Sequence, residues 1–207
     1  MLKVIGHSVG PLDNNTYLVV DEATGEAAIV DPSFDSRHIW EEAQALGLRI
    51  VWVLNTHAHI DHVAENAFFV QRSGAPLAIH PAELPLLRSL PQQALWMGVI
   101  APELVEPDHL LADEEIIPLG ESRLKTLLTA GHSPGGVSFL GEGFVLAGDA
   151  LFAGSIGRTD LPGGDHAQLI RSLRTRLLTL PDSVIVYPGH GPQTTIGAER
   201  LSNPFLQ

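Results

Sequence analysis

Apolar and polar positions along the first third of the chain predict alternating strands and helices. The runs 16–21 and 26–31 are rich in β-forming residues and flank a short polar turn, which predicts a β-hairpin. Apolar residues recur at helical spacing over residues 36–46 and predict a helix there. The continuous apolar run 50–54 predicts a buried strand, and residues 63–73 predict the helix that follows it.

The remainder of the chain predicts short strands separated by helices. Helical turns are expected over residues 81–88, and an amphipathic helix is predicted over residues 165–180. The proline-containing stretch 90–109 predicts an irregular crossing that forms one wall of a functional site. Further strands are predicted at residues 76–80, 115–119, 123–128, 137–140, 144–147 and 184–187. Because strands dominate both halves, we expect an α/β protein in which two sheets pack together with helices outside them.

The amino-acid composition limits the kinds of molecule that we expect the protein to bind. The chain has 207 residues, 44% of them hydrophobic, with a mean hydropathy of +0.15, and we expect one globular domain over residues 1–207. The formal net charge is −12 and the only lysines are Lys3 and Lys125. Nucleic-acid binding needs clustered lysine and arginine, so neither a nucleic acid nor a basic membrane-binding patch is expected.

Cellular location and redox chemistry follow from what the sequence lacks. It contains no signal-peptide pattern and no apolar stretch of about 20 residues, so we expect no membrane association and cytoplasmic residence. It also contains no cysteine, which excludes disulfides, cysteine-bound zinc, iron–sulfur clusters and thiol nucleophiles. Any metal ion must therefore be bound by His, Asp and Glu.

Polar side chains with ligand chemistry follow four of the predicted strands. The first group lies in the stretch 56–62, and the other three positions are flanked by glycine, which allows close backbone approach. The full set is His57, His59, Asp61, His62, His132, Asp149 and His190. Imidazole and carboxylate are ligands for zinc and iron. This inventory exceeds one tetrahedral zinc site and suits two divalent ions that share a carboxylate.

The spacing of the ligands assigns the first ion. In an extended segment residues two apart face the same way, so His57 and His59 can bind one ion, completed by His132.

The second ion takes the next residues along the chain. Asp61 and His62 can bind it, completed by His190, and Asp149 is the expected bridging carboxylate. Asp61 and Asp149 thereby acquire a catalytic role, as ligands of the ions that activate a hydroxide held between them, because metal binding brings the pKa of water down to about 7.

These motifs resemble the metallo-β-lactamase superfamily. The matching segments are His57-x-His59-x-Asp61-His62, Gly-His132-Ser-Pro-Gly, Gly-Asp149 and Pro-Gly-His190-Gly, in the family's order. Residues 148–152, 155–160 and 194–204 further resemble the glyoxalase II-like branch, in a short single-domain form. The resemblance implies an αββα sandwich, two divalent ions (Zn, Fe or both), and hydrolysis of a glutathione-type thioester such as S-lactoylglutathione.

The resemblance is incomplete on the substrate side. The longer glyoxalase II enzymes carry a C-terminal helical region that helps to bind glutathione, whereas this sequence ends after residues 205–207. Arg158 occupies the position of a basic glutathione contact, which implies a substrate-binding role. The family's nearby tyrosine is absent around residues 159–161.

Three alternatives remain open from the sequence. Relatives that oxidise persulfides use one iron bound by two His and one carboxylate, and His57, His132 and Asp149 could serve in that way. Asp31 either caps a turn or supports a metal-binding histidine. Trp96 is expected to pack in the core, as are Trp40 and Trp52, but it could instead line a pocket.

Overall fold

Two six-stranded sheets form the centre of the protein, which a computed structural model describes over residues 1–207. The first sheet has the order β1-β2-β3-β4-β5-β6. Its strands are β1 (Leu2–Val9), β2 (Asn14–Asp21), β3 (Glu26–Val30), β4 (Arg49–Leu54), β5 (Leu77–Ile79) and β6 (His109–Leu110). The first three strands are antiparallel and the last three continue in parallel from β3. The predicted hairpin is β2–β3 and the predicted buried strand is β4.

The second sheet is built by the C-terminal half. Its strands are β7 (Ile116–Leu119), β8 (Ser122–Leu128), β9 (Val137–Gly141), β10 (Phe144–Gly148), β13 (Ile185–Pro188) and β14 (Thr194–Thr195). They are arranged in the order β14-β13-β10-β9-β8-β7, and only the β10–β13 pair is parallel. A separate small hairpin joins β11 (Leu151–Phe152) to β12 (Ser155–Ile156).

Helices cover the outer faces of both sheets. They are α1 (His38–Ala45), α2 (Ile60–Val63), α3 (Asn66–Ser73), α4 (Leu84–Arg88), α5 (Leu90–Met97), α6 (His166–Ser172) and α7 (Ile196–Ser202). One apolar cluster joins the facing sides of the two sheets, including Val19 and Phe139. Separate clusters pack α1 and α3 on the first sheet and α6 and α7 on the second. The expected two-sheet sandwich with external helices is therefore confirmed, and no helix combines the length and hydrophobicity needed to cross a membrane.

The helix predicted over residues 63–73 is divided into α2 and α3. Its start was predicted too late, because Ile60 already begins a helical turn. The interruption falls at Glu65, whose backbone N–H donates to the carbonyl oxygen of Pro32 at 2.9 Å instead of continuing the helical bonds of α2. Asp61 and His62 consequently lie on a helical turn, whereas His57 and His59 lie in the extended segment before it.

The stretch 90–109 is less irregular than predicted. Its first eight residues form α5, because Pro91 lies in the first turn, where no helical N–H bond is lost. Only the residues after Gly98 lack regular structure up to β6. The helix predicted over residues 165–180 is confirmed as α6 followed by a π-helical turn over Leu173–Leu177.

Candidate metal centre

The seven predicted ligands converge at one edge of the sandwich. His57 and His59 follow β4, His132 follows β8, Asp149 follows β10 and His190 follows β13, so the carboxyl ends of four strands contribute. Asp61 and His62 are supplied by α2. All except His190 and Asp149 are buried, and those two are half-buried.

Close packing at this edge depends on two glycines. A Cβ atom at residue 189 would lie 2.1 Å from Asp149 Oδ1, and one at residue 148 would lie 2.5 Å from Thr56 Oγ1. No side chain fits at such distances, so only glycine allows these backbones to approach the cluster.

The first predicted group is brought together. The ligand atoms of His57, His59 and His132 lie within 4.8 Å of one another, and His59 Nδ1 is 2.9 Å from His132 Nε2. The edge-on rings of His57 and His59 have centroids 4.8 Å apart, as expected for residues two apart in an extended segment.

The second predicted group lies beside the first. Ligand atoms of Asp61, His62 and His190 are within 4.8 Å of one another. Asp149 stands between the groups: its Oδ1 is 3.5 Å from His62 Nε2, and its Oδ2 is 3.6 Å from His132 Nε2. A carboxylate placed in this way can contact an ion in either group.

Two of the histidines direct an unprotonated Nε2 toward the cluster because their Nδ1 atoms donate to carbonyl oxygens. His132 Nδ1 lies 2.8 Å from the carbonyl oxygen of Arg158, and His190 Nδ1 lies 3.0 Å from that of Leu12. A carbonyl oxygen only accepts, so each Nδ1 carries the proton and donates it. The Nε2 lone pair of each ring is then available at the cluster.

Asp31 orients the other two Nε2-presenting rings. Its Oδ2 lies 3.1 Å from His62 Nδ1 and accepts a hydrogen bond from Thr56 Oγ1 at 2.6 Å. Because that hydroxyl donates to Asp31, its lone pair can accept from His57 Nδ1 at 2.9 Å. Asp31 could itself complete a third potential metal group with His57 and His62. Its carboxylate is already engaged by Thr56 and His62, so the geometry favours support of these rings over ligation.

The electrostatics of the cluster suit a cation. Burial and the neighbouring imidazoles lower the pKa of His57 well below its ordinary value, and burial lowers that of His59 to about 3, so both rings are neutral near pH 7. Burial opposes charge on His62 too, but the carboxylates of Asp149, Asp61 and Asp31 outweigh it and raise its pKa to about 10. The field that favours a proton on His62 also favours a metal ion there.

Two atoms of the ligand set are among the buried side-chain atoms that have no hydrogen-bond partner in the protein. His57 Nε2 and Asp149 Oδ1 make no hydrogen bond, although buried polar atoms are normally paired. Both belong to the predicted ligand set. The donor set, its neutral imidazoles and these unpaired atoms fit bound divalent ions.

Three supporting residues were not predicted from the sequence. Asn14 Nδ2 donates to Asp61 Oδ2 at 2.9 Å. The buried carboxylate of Glu83 accepts from the backbone N–H of Ala58 at 2.8 Å and of Gly135 at 2.6 Å. The side chain of Gln93 accepts from the Ile60 N–H and donates to the Ala58 carbonyl. Each acts on a ligand or ligand-bearing loop far away in sequence, and no local pattern signals such a partner.

A cleft of about 990 Å³ opens above the ligands. It exposes His59, Asp61, His132, Asp149 and His190. The predicted wall in residues 90–109 is present as α5. Trp96, predicted mainly as a core residue, is 62% exposed and lines the cleft, whereas Trp40 and Trp52 pack against apolar clusters.

Arg158, the predicted substrate-binding residue, also lines the cleft. Its Nε and Nη2 donate to the two carboxylate oxygens of Asp160 at 2.7 and 2.8 Å.

The layered fold and its His- and Asp-rich edge define an enzyme of the metallo-hydrolase class. A sequence model of the metallo-beta-lactamase superfamily matches residues 9–190, and the chain belongs to this superfamily. It is 38% identical over 202 residues to hydroxyacylglutathione hydrolase GloC of Haemophilus influenzae, an alignment that covers 96% of this chain and 95% of GloC.

Two solved structures extend the similarity to the fold. BLEG-1 B3 metallo-beta-lactamase superimposes with a TM-score of 0.91 at 37% identity, covering 100% of both chains. TTHA1623 in a di-iron-bound form gives a TM-score of 0.89 at 38% identity, covering 98% of this chain and 100% of that one.

Proposed function

We propose that the protein is a metal-dependent thioester hydrolase, with a glutathione-type thioester such as S-lactoylglutathione as the starting substrate. The observation that carries the proposal is the convergence of the seven residues at one edge of the sandwich, where five of them line an open cleft. Similarity to GloC over nearly the whole of both chains supports the substrate type.

We expect the seven residues to divide the binding of two ions as the sequence predicts. His57, His59 and His132 would hold one ion. Asp61, His62 and His190 would hold the other ion, and Asp149 would be shared between the two. Zinc or iron at these positions would activate water and polarise a carbonyl group. The di-iron form of TTHA1623 supports iron as one candidate.

The protein contributes geometry and a field around the reacting group. Asp31 and two backbone carbonyls fix the ring orientations, and Asn14 holds Asp61. In the overall reaction one water adds across the thioester: a C–O bond forms, the C–S bond breaks, and the products are a carboxylic acid and a thiol.

A thiolate leaving group suits this cleft because the cleft has few side chains that could donate a proton. The cleft is lined by no Lys, Tyr, Glu or Cys, and its titratable residues are the predicted ligands and Arg158. A thiol has a pKa of about 8.5, so the thiolate departs with little help from an acid. An amine leaving group needs a proton, which this cleft is poorly equipped to supply.

Hydrolysis of S-lactoylglutathione by protein of measured metal content tests the proposal. We expect two ions per chain and thiol release that is lost on chelation and restored by metal. His59→Ala should abolish turnover, while His166→Ala, at an exposed position outside the cleft, should not. A two-metal preparation that leaves S-lactoylglutathione and related thioesters intact would refute the proposed function.

The same preparation can be assayed for two other activities. Similarity to BLEG-1 supports β-lactam hydrolysis as a second candidate, so a chromogenic cephalosporin belongs in the assay. One iron per chain, with oxygen consumption on glutathione persulfide, would instead establish the oxidative alternative.

A further inference from the structure

Apolar side chains from two parts of the chain line the cleft and form its two apolar walls. Leu86, Trp96 and Met97 come from α4 and α5, and Phe152, Ile156 and Leu161 come from the β11–β12 hairpin and the segment after it. Trp96 is 62% exposed although it is the largest apolar side chain at the cleft. Apolar surface kept open beside a reactive centre favours a ligand that can cover it.

Positive charge is nearly absent from the cleft. Arg158 is the only Lys or Arg among the lining residues, and the Nε–Nη2 edge of its guanidinium group is paired with Asp160. The lactoyl group of S-lactoylglutathione is small and bears a hydroxyl, so it would cover little of the apolar surface that lines the cleft.

Both walls are fixed to the rest of the site. Gln93 ties α5 to the metal-binding loop: its Oε1 accepts from the Ile60 N–H at 2.9 Å, and its Nε2 donates to the Ala58 carbonyl at 3.2 Å. In the second wall, Glu199 accepts from the Gly154 N–H at 2.9 Å and thereby holds the β11–β12 hairpin. The apolar surface is thus held at a set position relative to the ligands.

We propose that the cleft selects thioesters with a large apolar acyl group, such as a medium-chain aliphatic or arylacetyl group, over the lactoyl thioester. The inference rests on the proposed hydrolase function and names its substrate class. The acyl group would pack against Trp96 and the other apolar side chains that line the cleft. The bond chemistry is that of thioester hydrolysis: the water oxygen replaces sulfur on the acyl carbon, and the thiol leaves with a proton.

An acyl series on one carrier tests the proposal. The lactoyl, butanoyl, octanoyl and phenylacetyl thioesters of glutathione are compared by kcat/KM with metal-replete protein. We expect kcat/KM to rise by about fourfold for each methylene group that becomes buried. Octanoyl and phenylacetyl thioesters should exceed the lactoyl thioester by about tenfold or more.

Two variants on α5 test whether the Trp96 side chain causes the preference for apolar acyl groups. Trp96→Ala should lower the octanoyl-to-lactoyl ratio of kcat/KM by about tenfold, because the indole surface is lost. Leu95→Ala is the matched control: Leu95 is the preceding residue, is 73% exposed and does not line the cleft, so the ratio should stay at its wild-type value.

The outcomes separate the two proposals. If S-lactoylglutathione is hydrolysed and the apolar acyl thioesters are no better, the acyl preference is refuted while the hydrolase function stands. A ratio that Trp96→Ala does not change also refutes the assigned wall. If the two-metal protein hydrolyses none of the four thioesters, both proposals fail.

Discussion

Replacing Asp31 with Asn should weaken metal binding without disturbing the backbone. Asp31 is buried and has a positive φ of 51°, a conformation that Asn also tolerates. The amide oxygen can still accept from the Thr56 N–H, which lies 2.7 Å from Oδ1. The NH2 group, however, replaces the oxygen that faces His62 Nδ1.

The consequence for His62 follows from donor and acceptor roles. Two donors cannot share this position, so the His62 proton is driven from Nδ1 to Nε2, the atom that faces the ligand cluster. Loss of one hydrogen bond to a charged group costs about 1.5–3 kcal/mol. Metal affinity should fall by about 10–100-fold, as for other partners of metal-binding histidines. The thermal midpoint should fall by about 4–8 °C for a loss of about 2 kcal/mol in a chain of this size.

Competition with a chromogenic chelator measures the affinity, and thermal unfolding followed by circular dichroism measures the stability. Asp35→Asn is the control, because Asp35 also has a positive φ, of 63°, but is exposed and outside the site. Wild-type affinity for both ions in Asp31→Asn would refute the assignment of Asp31 as the residue that sets the His62 tautomer.

Three further substitutions test other parts of the structure. Glu83→Ala leaves two backbone N–H groups of the metal-site loops without their acceptor, so unfolding in urea should require about 3 kcal/mol less free energy. Burial lowers the pKa of His7 below 6.5, so the neutral ring stabilises the fold above pH 6.5 and this stabilisation is lost as the pH falls through 6.5 toward the lowered pKa. His7→Gln should therefore lose less stability than the wild type on acidification. Denaturant titration at several pH values measures the difference. Asn203→Ala removes donors to the Ser155 carbonyl and to Glu199, and should raise KM more than it lowers kcat in thioester assays, because the hairpin wall loosens.

Each of these substitutions has a matched control. Glu142→Ala alters an exposed turn and should leave the free energy of unfolding near wild type. His166→Gln changes an exposed histidine and should leave the pH profile unchanged. Ser202→Ala removes only a bond within α7, so KM should not rise. Equal effects in a variant and its control would contradict the corresponding assignment.

Strands with a strong apolar signal could be predicted, whereas elements with weak burial could not. β4 and β10 are continuous apolar runs, and both were predicted. β1 lies at a sheet edge with most residues partly exposed, so its sequence lacks a clear alternation. α7 buries only Ile196 and Glu199, and a buried acid is invisible to a hydrophobic pattern.

Ligand positions could be predicted because their chemistry and their location agree. Several histidines and aspartates directly after apolar strands have few structural explanations, and strand ends bring such residues together. The supporting residues lack that double signal. Glu83 reaches Ala58 across 25 positions of sequence, and its role depends on a pair of backbone N–H groups that only the folded chain brings together.

The same distinction explains why the substrate is harder to predict than the chemistry. Metal binding requires particular side chains at particular spacings, which form a recognisable sequence motif. An apolar wall can be made from Trp96, Met97 or Phe152 with no fixed spacing. The substrate-binding role of Arg158 stays a prediction: Asp160 pairs with the Nε–Nη2 edge of its guanidinium group, and no local motif identifies the ligand that the side chain would meet. We therefore expect specificity to depend on the surface between α5 and the β11–β12 hairpin, where substitutions should change the preferred acyl group more than they change metal affinity.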